Sequence, residues 1–171
     1  MKDNNEEMFP EVDENGNIIG GMTRETAHGG SKRLHPVVHL HVFNRDGALY
    51  LQKRPEWKDI QPGKWDTAVG GHIALGESVD TALLREAKEE LGISRFSHVR
   101  LGSYVFESSR ERELVYVYKT VYDKEITPDA EELDGGRFWT LDEIRENIGK
   151  DVFTPNFERE IMREELHLFI A

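Results

Sequence analysis

From residue 34 to 44 apolar and polar positions alternate along the chain. Val38, Leu40 and Val42 fall on one face of a strand, and His35, Val37, His39 and His41 on the other. Arg45-Asp46-Gly47 turns the chain into a second strand, Ala48–Arg54. Upstream, Phe9–Val12 and Ile18-Ile19 flank Glu14-Asn15-Gly16-Asn17 and predict a small hairpin. Thr23–Ala27 follows as one helical turn, stopped by Gly29-Gly30. Downstream, residues 55–66 read as a loop and Thr67–Val69 as a short strand ending at Gly70-Gly71. The spacing predicts a helix over 78–91, capped by Ser78 and ended by Gly92. Strands at about 99–107, 113–122 and 136–140 are separated by acidic turns, and Leu141–Ile148 and Asn156–Phe169 read as closing helices. Strands and helices alternate without strict βαβ order, which implies an α/β fold with a mixed sheet between helices.

A chain of 171 residues supports a single core. We expect an acidic, flexible start over 1–8 and one domain over 9–171. Asp plus Glu is 33 against 22 for Lys plus Arg, a net charge of -11. That balance argues against a nucleic acid polymer as partner. A small phosphorylated substrate stays compatible if divalent cations stand between the two negative partners. With no cysteine, disulfides, thiolate metal sites and thiol nucleophiles are excluded. Met1–Glu14 lacks the apolar stretch of a secretory signal, and no run approaches the ~18 apolar residues of a membrane span. We therefore expect a cytoplasmic protein without membrane contact. Whether it forms a homodimer is left open by the sequence.

On a helical wheel, Val79, Ala82 and Leu83 define the apolar face of helix 78–91, and in its later turns that same face carries Glu86, Glu89 and Glu90. Carboxylates this close raise one another's pKa unless a cation neutralises them, and a hard divalent ion does so well. A solvated acidic face is the plainer alternative. The wider context favours the ion: Gly71, five residues, Glu77, seven residues, then Arg85-Glu86-Ala87-Lys88-Glu89-Glu90-Leu91-Gly92-Ile93. This stretch resembles the Nudix box at every charged and glycine position, Ala87 standing where a larger aliphatic is usual. The resemblance implies a Nudix-type α/β/α sandwich and a hydrolase that cuts a diphosphate linkage. It implies Mg2+ or Mn2+ held by Glu86, Glu89 and Glu90, with Glu89 or Glu90 also serving as base. Arg85 would orient these acids with Glu77 nearby, and Gly71 and Gly92 would be backbone requirements.

Residues 9–160 also resemble the branch that includes type I isopentenyl-diphosphate isomerase. The matching stretches are Ala27-His28, Leu34-His35, Val42-Phe43-Asn44, Pro62-Gly63-Lys64-Trp65, Gly71-His72 and Leu75-Gly76-Glu77-Ser78. The resemblance implies a second metal site of His28, His35, His72, Glu111 and Glu113, the glutamate pair aligning across a short deletion. Arg54 and Lys58 match diphosphate contacts, and are read either as such or as loop charges. Gly70, beside Gly71 at the substrate, stands where the isomerase has its proton-moving cysteine. Asn156 replaces the tryptophan that shelters the cationic intermediate, and Glu86 replaces a basic residue. The scaffold is thus isomerase-like and the expected chemistry hydrolytic. Selectivity is assigned to segments 55–66, 102–112 and 149–158, with Trp57, Trp65 and Phe153 as aromatics able to stack a base. His39 and His41 are read as facing the same cavity without a catalytic role.

Overall fold

The structure, a computed structural model, describes residues 4–168. Met8–Val12 (β1) and Ile18–Thr23 (β2) pair antiparallel as the expected hairpin. Arg24–His28 (α1) follows, its first turn capped by Thr23. The main sheet comprises Leu34–Phe43 (β3), Leu49–Lys53 (β4), Trp65–Thr67 (β5), Val69–His72 (β6), Val99–Glu107 (β7), Arg112–Val121 (β8) and Gly136–Trp139 (β9). Strands run in the order β5-β4-β3-β8-β7, with β6 on β3 and β9 on β4. The β3–β8 pair is parallel along its whole length, from Leu34↔Arg112 to Phe43↔Val121. The other pairings are antiparallel, so the sheet is mixed.

The alternation along β3 divides the core. Val38, Leu40 and Val42 face Val79–Leu91 (α2), which buries Ala82, Leu83, Ala87 and Leu91 against them. Each fully buried leucine contributes roughly 1.5–3 kcal/mol. On the opposite face Val37, Val115 and Val117 pack under Leu141–Asn147 (α3) and Pro155–Ile161 (α4) through Ile144, Phe157 and Ile161. Helices on both faces make the α/β/α sandwich. α2 forms where expected because its ends are fixed locally. The Ser78 side chain accepts from Thr81 N–H, and Gly92, at φ 69, donates its N–H to Lys88 C=O.

Three element boundaries differ from expectation. Gly70-Gly71 does not end a strand. β6 runs through both glycines to His72 because their backbone pairs with β3, His39↔Gly70 and Val38↔Gly71. The loop that begins at Pro55 ends at Lys64 rather than Asp66, since Trp65 and Asp66 already pair with β4. The closing helix stops at Ile161, and a 3₁₀ turn, Glu164–Leu166, follows. The helical stripe through Phe157, Glu160 and Ile161 would next present Glu164 and Glu165 to the core; the chain instead breaks and re-enters it with Leu166. Residues 1–3 of the expected flexible start, and Phe169 of the expected helix, lie outside the described residues. Within 4–8, Asn5 and Glu7 carbonyls accept from Glu25 and Arg24 N–H at the start of α1.

Candidate functional site

α2 aims its last two turns at the C-terminal half of β6. Arg85 organises the acids there. Its Nε and Nη2 donate to the two oxygens of Glu77 at 2.8 and 2.9 Å, and Nη1 donates to Glu86 at 2.7 Å and to Glu89 at 3.4 Å. Nη2 also reaches the carbonyl of His72 at 3.0 Å, locking helix to sheet. Glu77 is fixed in turn by Ala74 N–H at 3.0 Å, and the Arg85 bonds hold its pKa below the ordinary carboxylate range. Glu86 lies against Gly71 so closely that a Cβ there would stand 2.5 Å from both carboxylate oxygens. Glu90 accepts from Gly70 N–H at 3.1 Å and from Gln52 Nε2 at 3.4 Å. Burial raises the pKa of Glu86, against the pull of Arg85. Burial, and then the charge of Glu86, raise that of Glu90 far more. A concentration of buried carboxylate with too few cations is what a divalent ion relieves.

These acids line one side of a cleft of about 700 Å³. Arg54 and Lys58 line it too. Arg54 is anchored by the Ile60 carbonyl at 3.0 and 2.8 Å, whereas Lys58 stands 3.5 Å from Glu132 and over the Trp57 ring. Both cations therefore line the cleft while being held by protein groups.

The histidine–glutamate set reaches the same cleft through His72 and Glu113. His28 and His72 share a hydrogen bond, Nε2 to Nε2, at 3.0 Å. Glu111 lies 3.3 Å from His28 and 3.9 Å from His35, and Glu113 lies 3.8 Å from His35 and 3.9 Å from His72. All five side chains therefore converge from α1, β3, β6, β8 and, for Glu111, the turn just before β8. Phe9 stacks on His72 at 4.6 Å and closes the site from the hairpin. His35 is wholly buried; its Nδ1 meets the Arg33 carbonyl at 3.2 Å, while its Nε2 has no hydrogen-bond partner. Burial lowers the pKa of His35, and burial with neighbouring His28 lowers that of His72 further. Burial thus favours the neutral form of both rings, the form that binds metal. Burial and then Glu111 push Glu113 up to about 7.

Several residues escaped the sequence reading. Gln52 supports Glu90 from a buried strand face, where it is the polar neighbour of core Tyr50. Glu160 is 1% exposed and binds His39, His41 and Tyr104 together. Its signal was a carboxylate inside the apolar stripe of α4, the same signal that singled out α2. Of the aromatics proposed to stack a base, Trp65 and Phe153 pack in the core beside Trp139 and serve the fold; Trp57 is exposed. Of the segments expected to set selectivity, 102–112 is mostly strand.

Residues 33–157 match the NUDIX domain family. The chain belongs to the Nudix family. Among its relatives is an isopentenyl-diphosphate Delta-isomerase of Streptomyces avermitilis, 32% identical over 85% of this chain and 77% of that protein. An uncharacterised Nudix hydrolase of Listeria innocua is 34% identical over 80% of this chain and 83% of its own. A crystal structure of a Deinococcus radiodurans protein superposes with a TM-score of 0.78 over 92% of this chain and 98% of that one at 24% identity, a likeness of fold. A MutT Nudix hydrolase of Burkholderia pseudomallei gives 0.63 at 21% identity over 81% and 99%. Nudix proteins use divalent metals and bind small phosphorylated substrates. No helix among the described residues is long and apolar enough to cross a membrane.

Proposed function

We propose that this Nudix protein hydrolyses the diphosphate (phosphoanhydride) linkage of a nucleoside diphosphate derivative or a similar small substrate, with Mg2+ or Mn2+. The observation that carries the reading is the convergence of Glu86, Glu89 and Glu90 on one cleft wall, with Arg85 and Glu77 holding the first of them in place. Glu86, Glu89 and Glu90 would hold the catalytic ion. When bound, it would screen the phosphate oxygens and acidify the attacking water. The protein's own part is positional. Gly70 N–H and Gln52 fix the Glu90 carboxylate, which with Glu89 is a candidate to take the water's proton. Arg54 and Lys58, which also line the cleft, would offer positive charge to the far phosphate.

The set His28, His35, His72, Glu111 and Glu113 would hold a second ion. Its fit rests on the donor atoms: three imidazole nitrogens lie within 4.8 Å of one another, as do His35, Glu111 and Glu113, and the buried His35 Nε2 is orphaned without a ligand. Nitrogen and carboxylate donors suit Mn2+, Zn2+ or Fe2+. The same set, with relatives named as isomerases, favours isomerisation of a prenyl diphosphate as a second reading. Against it stands Gly70, in a chain with no cysteine to carry a proton to carbon.

The test is phosphate release from a panel of nucleoside diphosphate compounds and prenyl diphosphates with Mg2+ or Mn2+. EDTA should abolish turnover and either metal should restore it. Turnover that survives chelation overturns the mechanism, and conversion of isopentenyl to dimethylallyl diphosphate without hydrolysis overturns the reaction class.

A further inference from the structure

Glu160 is the most conspicuous charge outside the machinery described so far. It projects from α4 into the sheet, is 1% exposed, and has both oxygens engaged. His41 Nε2 binds Oε2 at 2.5 Å. His39 Nδ1 donates to Oε1 at 2.8 Å, and the Tyr104 hydroxyl donates to the same oxygen at 2.5 Å. Arg163 lies 3.7 Å over the Tyr104 ring and covers the assembly from outside. A carboxylate costs several kcal/mol to bury, and is retained only when partners offset that cost. A structural role would be served by any closed set of partners. This set is not closed at His39.

The His39 ring has two edges in different surroundings. Nδ1 is spent on Glu160. The Cδ2–Nε2 edge lies over Gly70, its strand partner in β6, where a Cβ would stand 3.3 Å from Cδ2 and 3.6 Å from Nε2. Nε2 has no hydrogen-bond partner among the described residues, although the ring is partly exposed and lines the cleft. Gly70 is also the residue whose N–H holds Glu90. The free edge of His39 therefore opens onto the catalytic cleft at the point nearest the glutamate helix, and the missing side chain at residue 70 leaves it uncovered.

Burial works against a charged His39, but the Glu160 carboxylate outweighs it and pushes the pKa up to about 9. The groups facing this ring are Glu160 from α4 with His41 and Tyr104 bonded to it, Glu113 from β8, Asp66 from β5 and His72 from β6. Their balance favours the imidazolium. A cation with one donor committed and one aimed into a cleft that Arg54 and Lys58 also line is suited to an anion.

We propose that His39 is a further substrate-binding residue, which Glu160 anchors through Nδ1 so that Nε2–H donates to a phosphate oxygen of the substrate from the sheet side of the cleft. This rests on the diphosphate reading above for the class of ligand. Glu160 is the positioning residue, since it acts through His39.

The test uses methylenediphosphonate, whose P–C–P bridge cannot be hydrolysed, titrated calorimetrically into the full chain with Mg2+ at pH 7.5. His39→Gln keeps size and a donor but removes the charge; affinity should fall about tenfold, or about 1.4 kcal/mol. Glu160→Gln should lose a similar factor at pH 7.5 and bind more tightly only as pH falls below the ordinary imidazole range, because burial then opposes the charge on His39 without the carboxylate, while the wild type stays flat from pH 7.5 to 6. If either variant fails to fold, the ring nitrogens of His39 in the unmodified protein supply the reading: the Nε2 signal should move on adding the probe. Wild-type affinity in His39→Gln, an unmoved Nε2 signal, or a wild type that does not bind the probe each overturns the inference. Hydrolysis is scored separately. Turnover of the panel with KM unaffected by His39→Gln overturns this inference and leaves the hydrolase reading standing. A wild type that binds the probe through His39 but turns over nothing overturns the hydrolase reading alone.

Discussion

Replacing Gly71 by alanine adds one methyl group to the wall against which Glu86 rests. Its Cβ would lie 2.5 Å from each Glu86 oxygen, and closer still to Cδ, where unstrained contact needs about 3.5 Å or more. Something must move by at least ~1 Å. The backbone of residue 71 is held in β6 by its pairing with Val38, and its φ lies outside the left-handed region, so alanine is accepted there without strain. Glu86 is therefore the group that yields, and its 2.7 Å bond from Arg85 goes with it. A hydrogen bond between charged groups contributes about 1.5–3 kcal/mol when buried. Arg85 is one-third exposed, so solvent screening brings this towards ~1 kcal/mol. The loss of unfolded-state freedom on replacing glycine offsets about 0.4–1 kcal/mol of it. Stability should thus change little, by no more than ~4 °C in Tm for a chain of this size. Catalysis should respond differently, because a carboxylate misplaced by ~1 Å costs about 100-fold in rate. The assay pairs a thermal melt with phosphate release and Mn2+ titration. Gly20→Ala is the control: its Cβ would meet Glu11 at an ordinary 3.5 Å, far from the acids. Wild-type metal affinity and turnover in Gly71→Ala would refute the reasoning. A Tm drop beyond ~10 °C would refute it too, by making the sheet the part that yields.

Three further outcomes are expected. Glu90→Gln should lower turnover by about 10²–10⁴, the worth of a positioned acid–base group, yet raise Tm in EDTA, because burial and Glu86 already disfavour this charge; a lowered Tm would contradict the electrostatic argument. His35→Ala with His72→Ala should weaken metal binding at the histidine–glutamate set by more than about 100-fold while the acids of α2 still bind Mg2+; unchanged stoichiometry and affinity would remove that site. Finally, His39 has a folded pKa raised from 6.5 to about 9, so the stability it contributes is full below pH 6.5 and is lost as pH rises through about 9. Melts between pH 6 and 10 should show that decline in the wild type and a flatter profile in Glu160→Gln; equal slopes would exclude the pair as its source.

Helix 79–91 was legible in the sequence because everything that forms it is local. The 3.6-residue period, the Ser78 cap and the left-handed Gly92 lie within one stretch, and the carboxylates at 86, 89 and 90 share its face by helical geometry alone. The spacing from Gly71 to Ile93 carried the family likeness for the same reason. Alternation along 34–43 likewise determined which residues of β3 face α2 and which face α4. What such patterns do not contain is the partner of each face. His35 meets Glu113 because β3 and β8 pair parallel in a register that sets those two residues opposite one another, and His72 joins them because β6 pairs on the other edge of β3, opposite Val37. The fate of Gly70-Gly71 was decided in the same way. As a dipeptide it reads as a turn; paired with β3 it is a strand whose missing side chains make room for His39 and Glu86. Glu160 stood in plain view on an apolar stripe, but its role depends on two histidines about 120 residues away in the chain. Periodicity states that a face is buried, and only the tertiary structure states what it is buried against, because strand register and helix docking are settled by long-range backbone pairing and packing that no local window records.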